Sequence, residues 1–150
     1  MKFVPVLAAL FALHAAPAAA QLVVHEAWVR STVPGQKVAG AFMRLESPSA
    51  VALVGGSSPA SRTVEIHETV MDGTIARMRP VARIEVGPGK PAVLKPGGLH
   101  VMLIDIARPL AKGDRVPLRL EYEAGGQRRT LEVSAEVRDV MAAGGHRGHH

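Results

Sequence analysis

The chain has 150 residues, no cysteine, 3% aromatic residues and a formal charge of +5 at neutral pH. This length allows one domain, and the lack of cysteine excludes disulfide bonds and zinc sites built from thiolates. Few side chains are aromatic and the arginines are spread along the chain, so the composition does not support a surface that binds nucleic acid.

The first twenty residues have the composition of a secretory signal. Lys2 precedes an apolar run at residues 3–13, and residues 18–20 form an Ala-Ala-Ala cleavage site; the run is too short for a membrane span. Cleavage would make Gln21 the first residue, and the alternative is an uncleaved anchor. No later apolar run approaches the length of a spanning helix. We therefore expect an exported protein with a signal at 1–20, one domain at 21–140 and a tail at 141–150.

From residue 22 onward the sequence is typical of short β-strands separated by turns. In its first half, strands are predicted at residues 23–29, 38–46, 51–54, 63–69 and 75–78, with residues 55–61 as a loop. Asp72-Gly73 is a strong hairpin signal, and the hairpin would bring residue 78 back towards residue 67.

The second half continues the pattern, with strands predicted at residues 84–86, 92–94 and 99–106. Two amphipathic strands follow, joined at Gly125-Gly126, and their apolar positions are Val116, Leu118, Leu120, Tyr122, Leu131, Val133, Ala135 and Val137. Such alternation indicates one buried face and one wet face. Many short strands with turns about every eight to twelve residues predict an all-β sandwich or barrel.

Four metal donors of soft or borderline character fall within one stretch: His67, Met78, His100 and Met102. A thioether selects Cu(I) among biological metals, and imidazole suits copper as well as zinc. Two thioethers and two imidazoles carry no formal charge, so the set does not attract hard dications. A blue-copper centre would need a cysteine, which this chain lacks. The donor set therefore predicts a Cu(I) site.

Strand geometry would allow these donors to meet. On one strand, His100 and Met102 point to the same face, about 6–7 Å apart along it. At residues 63–69 the alternation places His67 on the face away from the apolar side chains. Glu65 shares that face, two residues from His67, and is a candidate partner for its ring.

The other histidines and methionines of this part have ordinary interpretations. His25 is expected to lie on a strand face. Met43 is expected to pack in the core, as methionines in strands commonly do. Met71 is placed at the tip of the predicted hairpin as an exposed loop residue, and the alternative is an auxiliary copper donor.

The spacing resembles the motif of periplasmic copper chaperones of the PCuAC type. That motif is a histidine, a methionine eleven positions on, and a His-x-Met after a further twenty-one residues. His67, Met78, His100 and Met102 match it without a gap. Glu68 departs from the pattern, since many members have methionine directly after the first histidine. Similar sequence also surrounds the ligands, as Val64-Glu65-Ile66-His67, Pro96-Gly97-Gly98-Leu99-His100-Val101-Met102-Leu103 and, near the start, Ala27-Trp28-Val29-Arg30.

The resemblance implies a periplasmic protein with a cupredoxin-like Greek-key β-sandwich that binds one Cu(I). It also implies transfer of that ion to the copper centre of cytochrome c oxidase, directly or through assembly factors. No nucleophile motif or acid–base pair supports an enzyme. Two alternatives stay open, a periplasmic copper buffer or resistance protein and an exported interaction module that binds no metal.

The tail contains three histidines, His146, His149 and His150, among glycines. Short histidine-rich tracts bind metals, and imidazoles without sulfur favour Cu(II) or zinc. Some PCuAC relatives carry C-terminal extensions rich in histidine and methionine, and this tail is similar to a short version. A second copper site, for Cu(II), is therefore one interpretation, and a tail without a metal role is the other.

Overall fold

The computed structural model describes residues 21–139, which form ten β-strands and contain no helix. The strands are β1 (Val23–Arg30), β2 (Val38–Glu46), β3 (Val51–Ser57), β4 (Ser61–Asp72), β5 (Ile75–Pro80), β6 (Ile84–Val86), β7 (Ala92–Leu94), β8 (Leu99–Ile106), β9 (Arg115–Ala124) and β10 (Gln127–Arg138). The all-β class predicted from the sequence is confirmed.

Two predictions concern parts of the chain outside the described residues. These are the secretory signal at 1–20 and the metal-binding tail with His146, His149 and His150. Within residues 21–139, no helix is long and apolar enough to cross a membrane.

The strands follow one continuous path of hydrogen-bonded neighbours that closes around a single core. Its order is β5-β4-β8-β2-β1-β10-β9-β3-β6, and β7 pairs with β2 beside β8. Among the described strands only β1 and β10 run parallel; the other pairs are antiparallel. Side chains from both halves of this path share the core, which makes two packed layers, the architecture of a β-sandwich.

Alternation along the strands supplies the core, as the sequence predicts. On β9 every second side chain, from Val116 to Tyr122, is buried. On β10 the burial is graded, because Ala135 and Val137 are fully buried whereas Leu131 and Val133 are only half-buried at the edge of the core. Burying one face of each strand in this way drives the two layers together.

The prediction of a loop beginning at Gly55 is wrong, because β3 continues to Ser57. After a register shift near Leu53, Gly55 pairs with Glu121, and Gly56 pairs with Leu120 on β9. A Cβ atom on Gly56 would lie 2.8 Å from the backbone oxygen of Arg119. Glycine here permits a close approach of two backbones; it does not end the strand.

The hairpin predicted at Asp72-Gly73 is confirmed, although its strands are longer than expected. β4 reaches Asp72 and pairs with Ile75 across the turn, and Gly73 adopts a φ of +63°. This is the left-handed conformation that a tight turn requires and that glycine adopts without strain. The hairpin fixes the position of Met78 relative to β4.

Two neighbouring glycines of β3 provide a test of this packing. Gly56→Ala should lower the free energy of unfolding by about 1–3 kcal/mol, because the added methyl group meets backbone that must shift. Gly55→Ala is the matched control: its methyl group would lie 3.5 Å from a flexible glutamate side chain, and we expect a change within about 1 kcal/mol. Urea unfolding of both variants measures the difference, and equal losses would contradict the close approach.

Candidate metal centre

The register between β4 and β8 brings the two histidines together. His67 lies directly opposite His100, and Glu65 lies directly opposite Met102. Residues directly opposite in an antiparallel pair point to the same face, so these four side chains share one face of the sheet. The rings of His67 and His100 have their centroids 5.9 Å apart.

Met78 joins this face from the next strand. It lies opposite Thr69, two residues beyond His67 on β4. Met78, His100 and Met102 line one cavity of about 190 Å³. The two thioethers differ sharply in exposure, since Met78 is 60% exposed and Met102 only 7%. The structure thus places all four predicted donors on one face, with Met78 on the solvent side.

His100 has one ring nitrogen fixed and the other free. Its Nδ1–H donates a hydrogen bond of 3.0 Å to the carbonyl oxygen of Gly98. Its Nε2 is buried and has no hydrogen-bond partner among the described residues. A hydrogen bond from one nitrogen to a backbone carbonyl is the usual way to orient a histidine whose other nitrogen binds a metal.

His67 shows the same arrangement with the nitrogens exchanged. Its Nε2–H donates to the carboxylate of Glu65 over 2.7 Å, and its buried Nδ1 has no partner within the described part of the chain. A buried polar atom without a partner costs about 1–3 kcal/mol. Two such atoms on neighbouring histidines indicate that this face is built to receive a ligand.

An aromatic row, which no pattern in the sequence predicts, supports His100 from the side opposite His67. Phe42 on β2 lies 6.2 Å from the His100 ring and 4.6 Å from the Trp28 ring, between centroids. A bulge between His25 and Trp28 inserts one extra residue into β1, at Glu26 with a φ of 50°. Without that extra residue Trp28 would point to the other face.

Gly40 leaves room for this row. It lies opposite Met102 on β8, and a Cβ atom there would lie 2.8 Å from the tip of the Phe42 ring. The guanidinium of Arg30 lies 5.9 Å from the centre of the same ring, at cation–π range. The wall of the cavity is therefore apolar and aromatic with one cation at its rim.

The charges around the site do not suit a hard dication. Within residues 21–139, no group of three or more histidine and acidic side chains could hold a metal. Glu65 is engaged by His67, and Glu68 pairs with Arg79 on the opposite face of the sheet. The donors that line the cavity are the imidazole of His100 and the thioethers of Met78 and Met102, a set of borderline and soft ligands.

The remaining histidine and methionine predictions have mixed outcomes. Met43 is buried in the core as expected. His25 lies on an exposed strand face and forms a hydrogen bond of 3.0 Å with the carboxylate of Glu46. Hydrogen bonds from Arg44, and to a smaller extent from His25, lower the pKa of Glu46. Met71 is exposed as expected, but it lies within β4 instead of in a loop.

Comparison with known proteins places this chain among bacterial relatives. A family model described as "Putative lipoprotein LpqE-like" matches residues 22–137. The protein "Putative lipoprotein Lxx21020" of Leifsonia xyli subsp. xyli is 27% identical over 121 residues, which cover 80% of this chain and 71% of that protein.

Two solved structures share the fold. The "Apo PCuAC domain from PmoF1" matches with a TM-score of 0.64 at 22% identity, over 79% of this chain and 93% of that chain. The solution structure of CuI-DR1885 from Deinococcus radiodurans matches with a TM-score of 0.60 at 28% identity, over 86% of this chain and 83% of that chain. The cupredoxin-like β-sandwich expected from the resemblance is thereby confirmed.

The hydrogen bonds of the two histidines predict opposite tautomers. When neutral, His100 should carry its proton on Nδ1, because a carbonyl can only accept. His67 should carry its proton on Nε2, because a carboxylate can only accept. Two-bond proton–nitrogen correlation spectra of the imidazole rings distinguish the two forms. The same tautomer in both rings would contradict the described orientation.

Proposed function

We propose a function for this chain on the premise that it belongs to the LpqE-like family and has the fold of PCuAC domains. It binds one Cu(I) through His67, Met78, His100 and Met102. The supporting observation is that two facing histidines each have a buried, unpartnered nitrogen and share their face of the sheet with two thioethers.

The ligand atoms follow from the hydrogen bonds of the rings. His100 would bind through Nε2 and His67 through Nδ1, since their other nitrogens are engaged by Gly98 and Glu65. Sulfur from Met102 and Met78 would complete a neutral S₂N₂ set, which favours Cu(I) over harder ions. The copper ion is cargo and not a catalyst, and the protein is proposed to be a carrier with no enzymatic activity.

The unequal burial of the ligands suits a carrier. His100 and Met102 are buried and hold their positions through the sheet, whereas Met78 stands in solvent on the edge strand β5. An acceptor can therefore displace Met78 first and reach the ion without unfolding the domain. A thioether adds no charge attraction to the metal, which favours exchange to a thiolate or imidazole acceptor.

We further propose that the protein acts in the periplasm and delivers Cu(I) to the copper centre of cytochrome c oxidase, directly or through an assembly factor. Thioether ligands suit an oxidising compartment, where paired thiols form disulfides. The motif spacing and the Cu(I) state of the DR1885 neighbour support the carrier role. His146, His149 and His150 are proposed as a second site, for Cu(II), on the strength of their composition alone.

A buffer or resistance protein would have the same binding site, so only the fate of the ion separates it from a carrier. An interaction module that binds no metal would take up no Cu(I). The two orphan ring nitrogens argue against the module, because a strand face built only for protein contact has no need to bury them unpaired.

Replacement of single side chains tests the ligand set. His67→Ala, Met78→Leu, His100→Ala and Met102→Leu should each weaken Cu(I) binding, measured by competition with a chromophoric Cu(I) chelator. Met43→Leu is the matched control, because Met43 is a core methionine outside the cavity and such a swap costs less than about 1.5 kcal/mol of stability. Unchanged affinity in the ligand variants would contradict the site.

The role of Glu65 has its own test. Glu65→Ala should lower Cu(I) affinity about 10–100-fold, the usual effect of removing the partner that orients a metal-binding histidine. Glu68→Ala is the control, since Glu68 lies on the opposite face and pairs with Arg79. Equal effects of the two variants would show that charge in general, and not the contact with His67, matters.

A transfer assay separates a carrier from a buffer. Cu(I)-loaded protein is mixed with the apo form of a soluble oxidase fragment that carries its copper centre. A carrier should metallate the fragment faster than a Cu(I)–chelator complex of the same affinity does. Retention of the ion by this protein would contradict delivery while leaving the binding site intact.

A further inference from the structure

The hairpin of β4 and β5 carries a second exposed methionine, Met71, beside the proposed ligand Met78. The two are 63% and 60% exposed, whereas Met43 and Met102 are buried. Every residue of β5 is exposed, so neither Met71 nor Met78 fills a gap in the core, the ordinary use of methionine. Their exposure therefore calls for another explanation.

The register places Met71 and Met78 on the same face as His67. Met78 lies opposite Thr69, and Met71 lies opposite Ala76, so the two methionines are diagonal neighbours across the hairpin. Diagonal neighbours are about 7–8 Å apart, within reach of long side chains. Thr69 and Ala76 are small, and two flexible methionines can bring both sulfurs to one ion between them.

Met71 lies outside the proposed copper site of His67, Met78, His100 and Met102, which is called the inner site below. The pairing of β4 with β8 runs only as far as Glu68 and Leu99, so Met71 lies on the part of the hairpin that projects beyond β8. It does not line the cavity that Met78 shares with His100 and Met102. Met78 is thus the one thioether that lies next to Met71 and also lines the cavity of the inner site.

The charged side chains of the hairpin lie on its other face. Arg77 pairs with Asp72 over 3.3 Å, and Arg79 pairs with Glu68 over 3.0 Å. By the strand register these four side chains point away from Met71 and Met78. The methionine face therefore offers thioether sulfur with no carboxylate beside it, and thioether ligands in general select for Cu(I).

We propose that Met71 and Met78 form an outer bis-thioether site. Cu(I) binds there first, before it moves to the inner site, and it passes through the same site when it dissociates. The ion keeps its bond to Met78 while the sulfur of Met71 is replaced by Met102 and the two histidines. This is ligand exchange at constant oxidation state, so no electron or proton donor is needed. The inference rests on the proposed function, because it extends the same copper site.

Silver(I), a soft closed-shell ion, tests the outer site by NMR of protein labelled with ¹³C at the methionine methyl groups. In a His67→Ala, His100→Ala, Met102→Leu variant, which removes the other proposed ligands, Ag(I) should shift the Met71 and Met78 methyl signals together. Adding Met71→Leu to that variant should abolish the Met78 shift at the same Ag(I) concentration. A Met71 signal that stays in place while Met78 shifts would overturn the outer site.

Kinetics in the otherwise unaltered protein provide the second arm. Met71→Leu should slow Cu(I) transfer to a competing chelator several-fold and leave the equilibrium affinity of the inner site unchanged. Ile75→Leu is the matched control, because Ile75 is exposed on the opposite face of the same hairpin. A transfer rate equal to that of the parent protein would overturn the proposal.

The two proposals fail in different ways. If Ag(I) shifts Met78 and Met102 in the parent protein but never Met71, the inner site stands and the outer site falls. If Ag(I) shifts Met71 and Met78 but not Met102, the inner site falls and the thioether pair stands. If no methionine signal responds, both proposals are overturned.

Discussion

The pairing of β4 with β8 in one register is the constraint on which the site depends. Because side chains alternate between the faces of a strand, a slip of one residue would send His67 into the core and bring Ile66 to the cavity. Ile66 is buried in the core on β4, as are Val101 and Leu103 on β8. Core packing on one face therefore fixes the alignment of His67 with His100 on the other.

The proposed metal-binding face has a buried part and an exposed part. His100 and Met102 sit on an inner strand, flanked by β4 and β2 and backed by the aromatic row of Trp28 and Phe42. Met78 sits on an edge strand whose residues are all exposed. Such a division suits the proposed carrier, because the inner strand would hold its donors in place while the edge strand would leave a path for exchange.

Local patterns in the sequence predicted the strands that carry the candidate donors. They could not predict how strands far apart in the chain pair with each other. The bounds of β2, β6, β7 and β8 were predicted to the residue, since alternation and turn residues mark them. The hairpin that returns Met78 was readable from Asp72-Gly73. The position of His67 directly opposite His100 could not be predicted, because it depends on the register between β4 and β8. The bulge at Glu26 that turns Trp28 towards Phe42 has no local signature, and Gly55-Gly56 signalled a loop where the backbones instead pack closely.

X-ray absorption spectroscopy of the Cu(I)-loaded protein tests the central claim most directly, because it counts sulfur and nitrogen neighbours of the ion itself. We expect a Cu(I) edge and a mixed shell of sulfur and imidazole nitrogen, with sulfur scattering reduced in Met78→Leu and in Met102→Leu. A shell of nitrogen and oxygen alone, unchanged in both variants, would contradict it.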